Sequence, residues 1–260
     1  MVGMSDKCDG AAPVSSDEAA TVAFDRTVVF ERPHHAGPPF LAADRLTAKG
    51  RRGPVFADVS LGAELGQLVV VSGDGGDGRT ALLLALAGRF ALSGGTLIVE
   101  GRTRAAEIRR RFTVAQAAPA IGFDAHHTVG DCIKETTAVS GKAATDANIH
   151  AWLDRLAVGV DTGDTVALLP RFEQIRFAIA CAAASRTPAV VVDDADAGLN
   201  GAGGERVLET LRAVADAGQL VLAGCVRHDP PADLVIDLRT RSMARAPRLD
   251  AGRDRNGDAP

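Results

Sequence analysis

The sequence lacks any long run of apolar residues. The longest runs, such as those at 68–71 and 189–192, are far shorter than the ~20 residues that a helix needs to cross a bilayer. The first twenty residues contain acidic side chains and no apolar core segment, which is unlike a secretory signal peptide. We therefore predict a cytoplasmic protein without a transmembrane helix.

Cysteine is scarce, and so is any excess of basic charge. The four cysteines are scattered without a C-x-x-C pair, which disfavours a metal or disulfide framework and favours a reducing compartment. The 29 Lys and Arg residues face 33 Asp and Glu residues, so the formal net charge is −4. A protein built mainly to hold nucleic acid usually carries a basic excess, and we expect no nucleic-acid partner.

The remaining composition is that of a globular protein with tails. Of 260 residues, 46% are apolar and 24% are charged, and this length can bury a large core. Residues 1–40 are rich in Ser, Asp, Gly, Ala and Pro and are predicted to be a flexible tail, with an edge strand possible at 21–30. Residues 241–260 are predicted to be a second tail, which leaves one domain at 41–240.

Strand, turn and helix patterns alternate through this domain. Short apolar strands are predicted at QLVVVS, TLIVE, RRFTVA, AVVVDD, QLVLAG and LVIDL. Helices are predicted at RTALLLALAGRF, DANIHAWLDRLAV, RFEQIRFAIACAAAS and GERVLETLRAVADAG, and residues from about 118 to 186 lean helical. Because strands without polar alternation are separated by helices, the fold class is α/β with a mostly parallel sheet covered on both faces.

A glycine-rich loop follows the first of these strands and opens the first helix. That context is typical of a phosphate-binding P-loop, in which backbone N–H groups and a helix N-terminus face phosphate oxygens. Thr80 would place its hydroxyl on Mg²⁺. Arg79 stands where the strict pattern has lysine, and its planar guanidinium is not equivalent to an ammonium group. The alternative is a glycine-rich turn without a ligand. The loop is Gly73-Asp74-Gly75-Gly76-Asp77-Gly78-Arg79-Thr80.

The order of the later motifs resembles the ATP-binding subunit of ABC (ATP-binding cassette) transporters. The similarity extends over about 200 residues, from 41 to 240. It includes a segment ending in Gln116, an eroded signature motif, and a Walker B strand followed by a D-loop; these read RRRFTVAQ, LLPRFEQIRFAIACAAA and AVVVDDADAGLN. The resemblance implies a P-loop NTPase (RecA-like) fold, whose mostly parallel sheet carries an inserted helical subdomain at about 118–186.

The resemblance also implies roles for individual residues. Asp193 and Thr80 would hold Mg²⁺ together with Gln116, which would also sense the γ-phosphate. Asp194 would position the attacking water. His228 would be the switch histidine only if its loop is shifted, because simple spacing places that residue at Val226. ATP would contact the loop residues Gly73, Asp74, Gly75, Gly76, Asp77, Gly78, Arg79, Thr80 and Ala81.

Each of these residues also has an ordinary interpretation. Asp193 could be a strand-end acid or a helix cap, Gln116 a polar residue at a strand end, and His228 an exposed loop histidine. Asp194 is one methylene shorter than the glutamate of the family, and a displacement of about 1 Å can cost ~10²-fold in rate.

Further departures from the family pattern concern the loop and the signature segment. Asp74 and Asp77 add negative charge to an anion-binding loop, so both must point outward or the affinity for nucleotide falls. The signature segment 169–173 lacks the glycine pair and contains the bulky Phe172. Arg171 would either contact phosphate or remain a surface arginine. The residues near Gly50 include no aromatic side chain to stack on adenine.

Three functions are compatible with this pattern. The first, which we predict, is an ATP-hydrolysing subunit at the cytoplasmic face of the membrane. It would power a separate permease and pair with a second ATP-binding subunit as a homo- or heterodimer. The second is a subunit that binds nucleotide but hydrolyses it poorly, as a regulator or the silent half of a heterodimer. The third is an ABC-type protein of DNA repair or translation, but those usually carry two cassettes or long insertions.

Overall fold

The structure is a computed structural model that describes residues 38–51, 53–141, 143–227 and 229–239. The predictions for residues 1–37, which include the edge strand, and for 241–260 lie outside these ranges. Within them, no helix combines the length and the apolar character needed to span a membrane.

The described residues form eight strands and six α-helices. The strands are β1 (Leu41–Gly50), β2 (Gly53–Ala63), β3 (Leu68–Ser72), β4 (Gly94–Val99), β5 (Phe112–Gln116), β6 (Ala189–Val192), β7 (Leu220–Cys225) and β8 (Leu234–Asp237). The helices are α1 (Arg79–Leu86), α2 (Ala105–Arg109), α3 (Val129–Ser140), α4 (Asp146–Arg155), α5 (Arg171–Ala184) and α6 (Gly201–Asp216).

The central layer is a five-stranded parallel sheet with the strand order β5-β6-β7-β3-β8. Strands β3, β6 and β7 are buried along their whole length. Their side chains alternate between two cores: Val70 faces the core formed with α5 and α6, whereas Val69 and Val71 face the core formed with α1. This arrangement confirms the predicted α/β fold with a parallel sheet covered on both faces.

A second, smaller sheet covers the α1 side of the parallel sheet. It is antiparallel with the order β2-β1-β4, and its register shifts between Ala43 and Leu46 and again before Lys49. Buried residues of this sheet, such as Leu41 and Val99, pack into the same core as α1. The β1–β2 hairpin thereby comes close to the start of α1, where the backbone oxygen of Val55 approaches Gly78.

The helices α3, α4 and α5 cover the opposite face near the edge strand β5. Thr128 and Thr145 cap α3 and α4, because their hydroxyls accept hydrogen bonds from the third backbone N–H of each helix. Helix α5 is apolar on nearly all sides, and ten of its residues are buried. Phe177 of this helix packs against Phe123 with ring centroids 5.2 Å apart. These helices supply the helical segment that the sequence predicted between 118 and 186.

Helix α1 ends earlier than its apolar sequence predicts. The pattern extends to Phe90, but the helix ends at Leu86. Gly88 has a φ of +68°, and a Cβ there would lie 2.8 Å from the backbone oxygen of Ala105. A residue with a side chain could not make this turn without moving α2, so the glycine ends the helix.

Because Gly224 in β7 has no side chain, it leaves space for the carboxylate of Asp193, which follows β6. A Cβ at this position would overlap Oδ1 of Asp193 and lie 3.0 Å from Cδ1 of Leu83. We expect Gly224→Ala to lower the free energy of unfolding by about 1–3 kcal/mol, because the buried site cannot expand freely. Urea denaturation measures this loss. The matched control is Gly201→Ala at the start of α6, where no atom lies within 4 Å; an equal loss in both variants would contradict the steric explanation.

Candidate functional site

The glycine-rich loop lies at the carboxyl end of β3, where parallel α/β sheets place their ligands. Gly76 and Gly78 have φ values of +95° and +89°, which favour glycine. At Gly78 a Cβ would also lie 2.7 Å from the backbone oxygen of Val55. At Gly75 and Gly76, in contrast, a Cβ would meet no atom within 4 Å. The loop therefore exposes its backbone on an open side, as a phosphate cradle requires.

Arg79 turns its guanidinium into the site, and only 8% of the residue is exposed. Its Nη2 donates to Oδ1 of Asp194 over 2.7 Å. Its Nη1 donates to the backbone oxygens of Gly73 and, over 3.3 Å, of Cys225. The Nε is buried and has no hydrogen-bond partner. One cation thus joins the carboxyl ends of β3, β6 and β7.

Thr80 and Asp193 form the oxygen-rich part of the site. The Thr80 hydroxyl donates to Oδ2 of Asp193, and the backbone N–H of Asp194 donates to Oδ1 over 2.9 Å. Asp193 is 1% exposed. Its burial, and then the charge of Asp194, raise the pKa of this carboxyl, while the hydrogen bond from Thr80 opposes the rise.

The donor set of this corner fits Mg²⁺. A hydroxyl and a carboxylate are hard oxygen ligands, which Mg²⁺ prefers. Among the described residues, no group of three His, Cys, Asp or Glu side chains could hold a metal by itself. Mg²⁺ usually binds proteins through one or two carboxylates together with substrate phosphates. The corner therefore suits a metal that arrives with a nucleotide.

Gln116 reaches the same corner from the end of β5. Its Nε2 donates to the backbone oxygen of Asp193 over 2.8 Å. The following residue, Asp194, has a φ of +49°, which is uncommon for a residue with a side chain. This turn directs its carboxylate back to Arg79. The structure thus brings together Arg79, Thr80, Gln116, Asp193 and Asp194, which lie far apart in the sequence.

The two acidic residues of the loop take different orientations. Asp77 turns inward, and its Oδ2 accepts a hydrogen bond of 2.7 Å from the backbone N–H of Asp74. Asp74 is exposed, but its Oδ1 accepts a hydrogen bond from Nε of Arg239 over 2.8 Å. Asp77 thus satisfies a backbone donor of its own loop and does not point outward, so the prediction of a lower affinity for nucleotide applies to this residue.

We expect Asp77→Ala to tighten Mg·ATP binding by about three- to tenfold. The change removes a negative charge near the phosphates and frees the backbone N–H of Asp74, together worth about 1 kcal/mol. Calorimetric titration of both proteins measures the difference. Weaker binding by the variant would contradict this view and indicate that Asp77 holds the loop in its binding conformation.

The eroded signature segment packs against its own chain. Pro170 precedes the first turn of α5, and the ring of Phe172 lies under two guanidinium groups, 4.7 Å from that of Arg206 and 5.6 Å from that of Arg176. Arg171 donates to Oε1 of Gln174 over 3.2 Å. The bulky ring is accommodated by stacking between α5 and α6.

A cavity of about 330 Å³ separates the start of α5 from the segment after β5. Arg171, Gln174 and Gln116 line it together with the 118–123 segment. Arg171 therefore faces the end of β5 that carries Gln116.

The loop after β7 is the place expected for a switch histidine. His228 lies outside the described residues. Val226 and Arg227 are described, and their backbone N–H groups donate to the carboxylate of Asp196 over distances of 2.9 to 3.1 Å. The sequence interpretation assigned no role to Asp196, and it missed Arg239 altogether. The signal for Arg239 was present: Asp237 and Arg239 are two polar residues, two positions apart, at the end of a buried strand.

The sequence of this chain is similar to that of known proteins. A family model described as ABC transporter matches residues 56–197, which is more than half of the chain. A putative ABC transporter ATP-binding protein of Halobacterium salinarum is 31% identical over 196 residues, which cover 72% of this chain and 83% of that protein. Residues 56–197, which the family model matches, contain the glycine-rich loop and the adjacent Asp193 and Asp194.

Other similarities are shorter or concern the fold alone. A cytochrome c biogenesis ATP-binding export protein, CcmA, of Xanthomonas campestris is 36% identical over 80 residues. This match spans 37% of that protein's length. The structure of a putative ABC transporter ATP-binding protein from Pyrococcus furiosus superposes with a TM-score of 0.65 at 18% identity, covering 76% of this chain and 96% of that one.

Proposed function

Since the chain belongs to the ABC transporter family, we propose that it is the ATP-binding subunit of a transporter whose membrane permease is a separate chain. The observation that carries the proposal is the cluster at the end of β3. There the open glycine loop, the Arg79 guanidinium and the Thr80–Asp193 pair lie around one corner. This combination supplies backbone donors, a fixed cation and hard oxygen ligands, which are what a magnesium-bound triphosphate requires.

In this proposal the loop residues 73–81 hold the phosphates of ATP. Gly75 and Gly76 allow the backbone to approach the phosphate oxygens, and the N-terminus of α1 faces their negative charge. Arg79 substitutes for the usual lysine. To reach a phosphate, its guanidinium exchanges the contact with Asp194 for a contact with the ligand, while Gly73 and Cys225 hold its other side.

The metal would be held by Thr80, Asp193 and Gln116. When bound, Mg²⁺ neutralises charge on the β- and γ-phosphates and helps to orient them. Burial keeps the Asp193 carboxylate away from water, and the raised pKa of this group reflects that cost. A cation at this position would remove the penalty, which links binding of the metal to the ionised form of Asp193.

Asp194 would position the attacking water. Its carboxylate is one-third exposed and is held by Arg79. When the guanidinium moves to a phosphate, this carboxylate is left at the edge of the site, where it can accept a hydrogen bond from water.

The permease and a second ATP-binding subunit are further parts of the proposal. The cavity beside Gln116 and Arg171 lies between the end of β5 and the first half of α5, and it offers a place for an element of the permease. Such docking would bring the chain to the cytoplasmic face of a membrane. The second subunit would approach the exposed side of the loop and form a homo- or heterodimer with this chain.

A second candidate function is a subunit that binds nucleotide but hydrolyses it poorly. Two observations favour it: Asp194 is engaged by Arg79, and the signature segment has Phe172 stacked on arginines where the family has glycine. Such a chain would serve as a regulator or as the silent half of a heterodimer.

A steady-state assay of phosphate release distinguishes the two functions. The purified chain, alone and mixed with its permease, is incubated with Mg·ATP. Release well above that of the Asp194→Asn variant supports the hydrolysing subunit. Release equal to that of the variant, with intact nucleotide binding, supports the second function. Absence of binding in both proteins would overturn the proposal itself.

A further inference from the structure

Arg239 is a buried arginine at the end of β8, with only 9% of its surface exposed. A buried guanidinium has five N–H donors and is stable only where acceptors surround it. Here Nε donates to Oδ1 of Asp74 over 2.8 Å and Nη1 to Oγ of Ser72 over 2.7 Å. The Nη2 donates to the backbone oxygen of Val226. Every nitrogen of this side chain is thus engaged. Nη1 also lies 3.5 Å from Oδ1 of Asp237 at the end of β8 itself, and the other contacts reach the segments at the ends of β3 and β7.

These partners belong to the two loops that border the candidate nucleotide site. Ser72 is the last residue of β3, Asp74 lies in the glycine-rich loop that follows it, and Val226 begins the loop after β7. The second loop is also held from its other side, since Asp196 accepts its backbone N–H groups. The Ser72 hydroxyl in turn donates to the backbone oxygen of Arg227 over 2.5 Å. Arg239 therefore connects the glycine-rich loop with the loop that follows β7.

The charge of Arg239 matters because the glycine-rich loop is acidic. Asp74 and Asp77 both lie where a triphosphate would approach, and Arg79 is already paired with Asp194. The ion pair between Arg239 and Asp74 draws the Asp74 carboxylate toward the end of β8. It places a second positive charge beside the loop without placing it in the phosphate cradle.

We propose that Arg239 is a positioning residue of the nucleotide site, which anchors the start of the glycine-rich loop and offsets the charge of Asp74. The inference rests on the proposed function, because the ligand is the triphosphate of that site. Arg239 touches no phosphate in this view; it acts through Asp74, Ser72 and Val226.

The test compares Arg239→Gln with Arg212→Gln. Arg212 is a matched control, because it makes an equivalent set of contacts at the opposite, amino ends of the same strands. It donates to the carboxylate of Asp233 before β8 and, over 2.6 Å, to the backbone oxygen of Gly66 before β3. Both changes remove structural hydrogen bonds, so both are expected to lower the melting temperature.

Only Arg239→Gln is expected to weaken Mg·ATP binding, by about tenfold, as the loss of one charge-assisted hydrogen bond implies. Calorimetric titration well below the melting temperatures of all variants measures this. Arg239→Lys keeps the positive charge but loses the planar guanidinium with its paired N–H donors, so a smaller loss of affinity is expected. This variant replaces Arg239→Gln in the test if the glutamine variant does not fold. Affinities equal to that of the unchanged protein in both Arg239 variants, or an equal loss in Arg212→Gln, would overturn the inference.

Amide hydrogen exchange provides a readout that needs no nucleotide. Faster exchange at residues 73–78 and at Val226 is expected in the Arg239 variants and not in Arg212→Gln. If the unchanged protein fails to bind Mg·ATP, the proposed function is wrong. Amide hydrogen exchange then tests separately whether Arg239 positions the loop. Unchanged exchange in these segments would overturn that role.

Discussion

Arg79→Ala is expected to weaken Mg·ATP binding by at least about 100-fold, which corresponds to ~3 kcal/mol for charged hydrogen bonds in a partly dry site. Arg79 is the only cation within the loop 73–80. Its guanidinium is fixed on one side by the backbone oxygens of Gly73 and Cys225. It therefore faces the ligand without the cost of ordering a free side chain.

Two control variants separate the effect of losing the Arg79 charge from a general effect of substitution on the fold. Arg89→Ala removes an exposed arginine just after α1 and should leave the affinity unchanged. Arg79→Lys keeps the positive charge, because an ammonium group replaces the guanidinium. Its affinity for Mg·ATP should therefore stay within about tenfold of that of the unchanged chain. Isothermal titration calorimetry measures the affinity of the unchanged chain and of the three variants. An affinity of Arg79→Ala equal to that of the unchanged chain would show that phosphates do not bind where this cation lies.

Asp194→Asn is expected to lower the rate of phosphate release by about 100-fold or more, the usual contribution of a positioned carboxylate. Binding should persist, and it should tighten slightly, because the neutral amide no longer competes with the nucleotide for Arg79. A loss of turnover with intact binding separates a role in the reaction from a role in binding.

The control for this change is Asp154→Asn, at an exposed acid on α4. Single-turnover release of labelled phosphate by the three proteins gives the comparison. If Asp194→Asn and the unchanged chain release phosphate equally fast above background, the water is positioned by another group. If neither exceeds background, the second candidate function is favoured.

The main features of the fold were predictable because burial determines them locally. The sequences LVVVS, AVVV and LVLAGC contain no polar alternation, so they can lie only between two apolar layers. The ends of α1 and the register shifts of β1 were not predictable. They depend on close contacts such as that of Gly88 with Ala105, which join residues from different elements.

The residue types of the site were predictable, but their contacts were not. The loop was predicted from its own glycines, and the roles of Gln116 and the two aspartates followed from the resemblance to the ABC transporter family. The sequence could not reveal that Arg79 pairs with Asp194, that Asp77 turns onto its own loop, or that Arg239 holds Asp74. The contacts of Arg79 and Arg239 depend on which strand ends become neighbours, and the strand order β5-β6-β7-β3-β8 follows from tertiary packing. The contact of Asp77 is local and depends on the conformation of the loop.

The central claim is that this chain binds a magnesium-bound nucleotide at the glycine-rich loop. Calorimetric titration of the purified chain with Mg·ATP, and then with ADP, tests it most directly. We predict binding of ATP in the micromolar range, about 8 kcal/mol of free energy, and its loss when Mg²⁺ is chelated. No binding of either nucleotide up to millimolar concentration would contradict the claim.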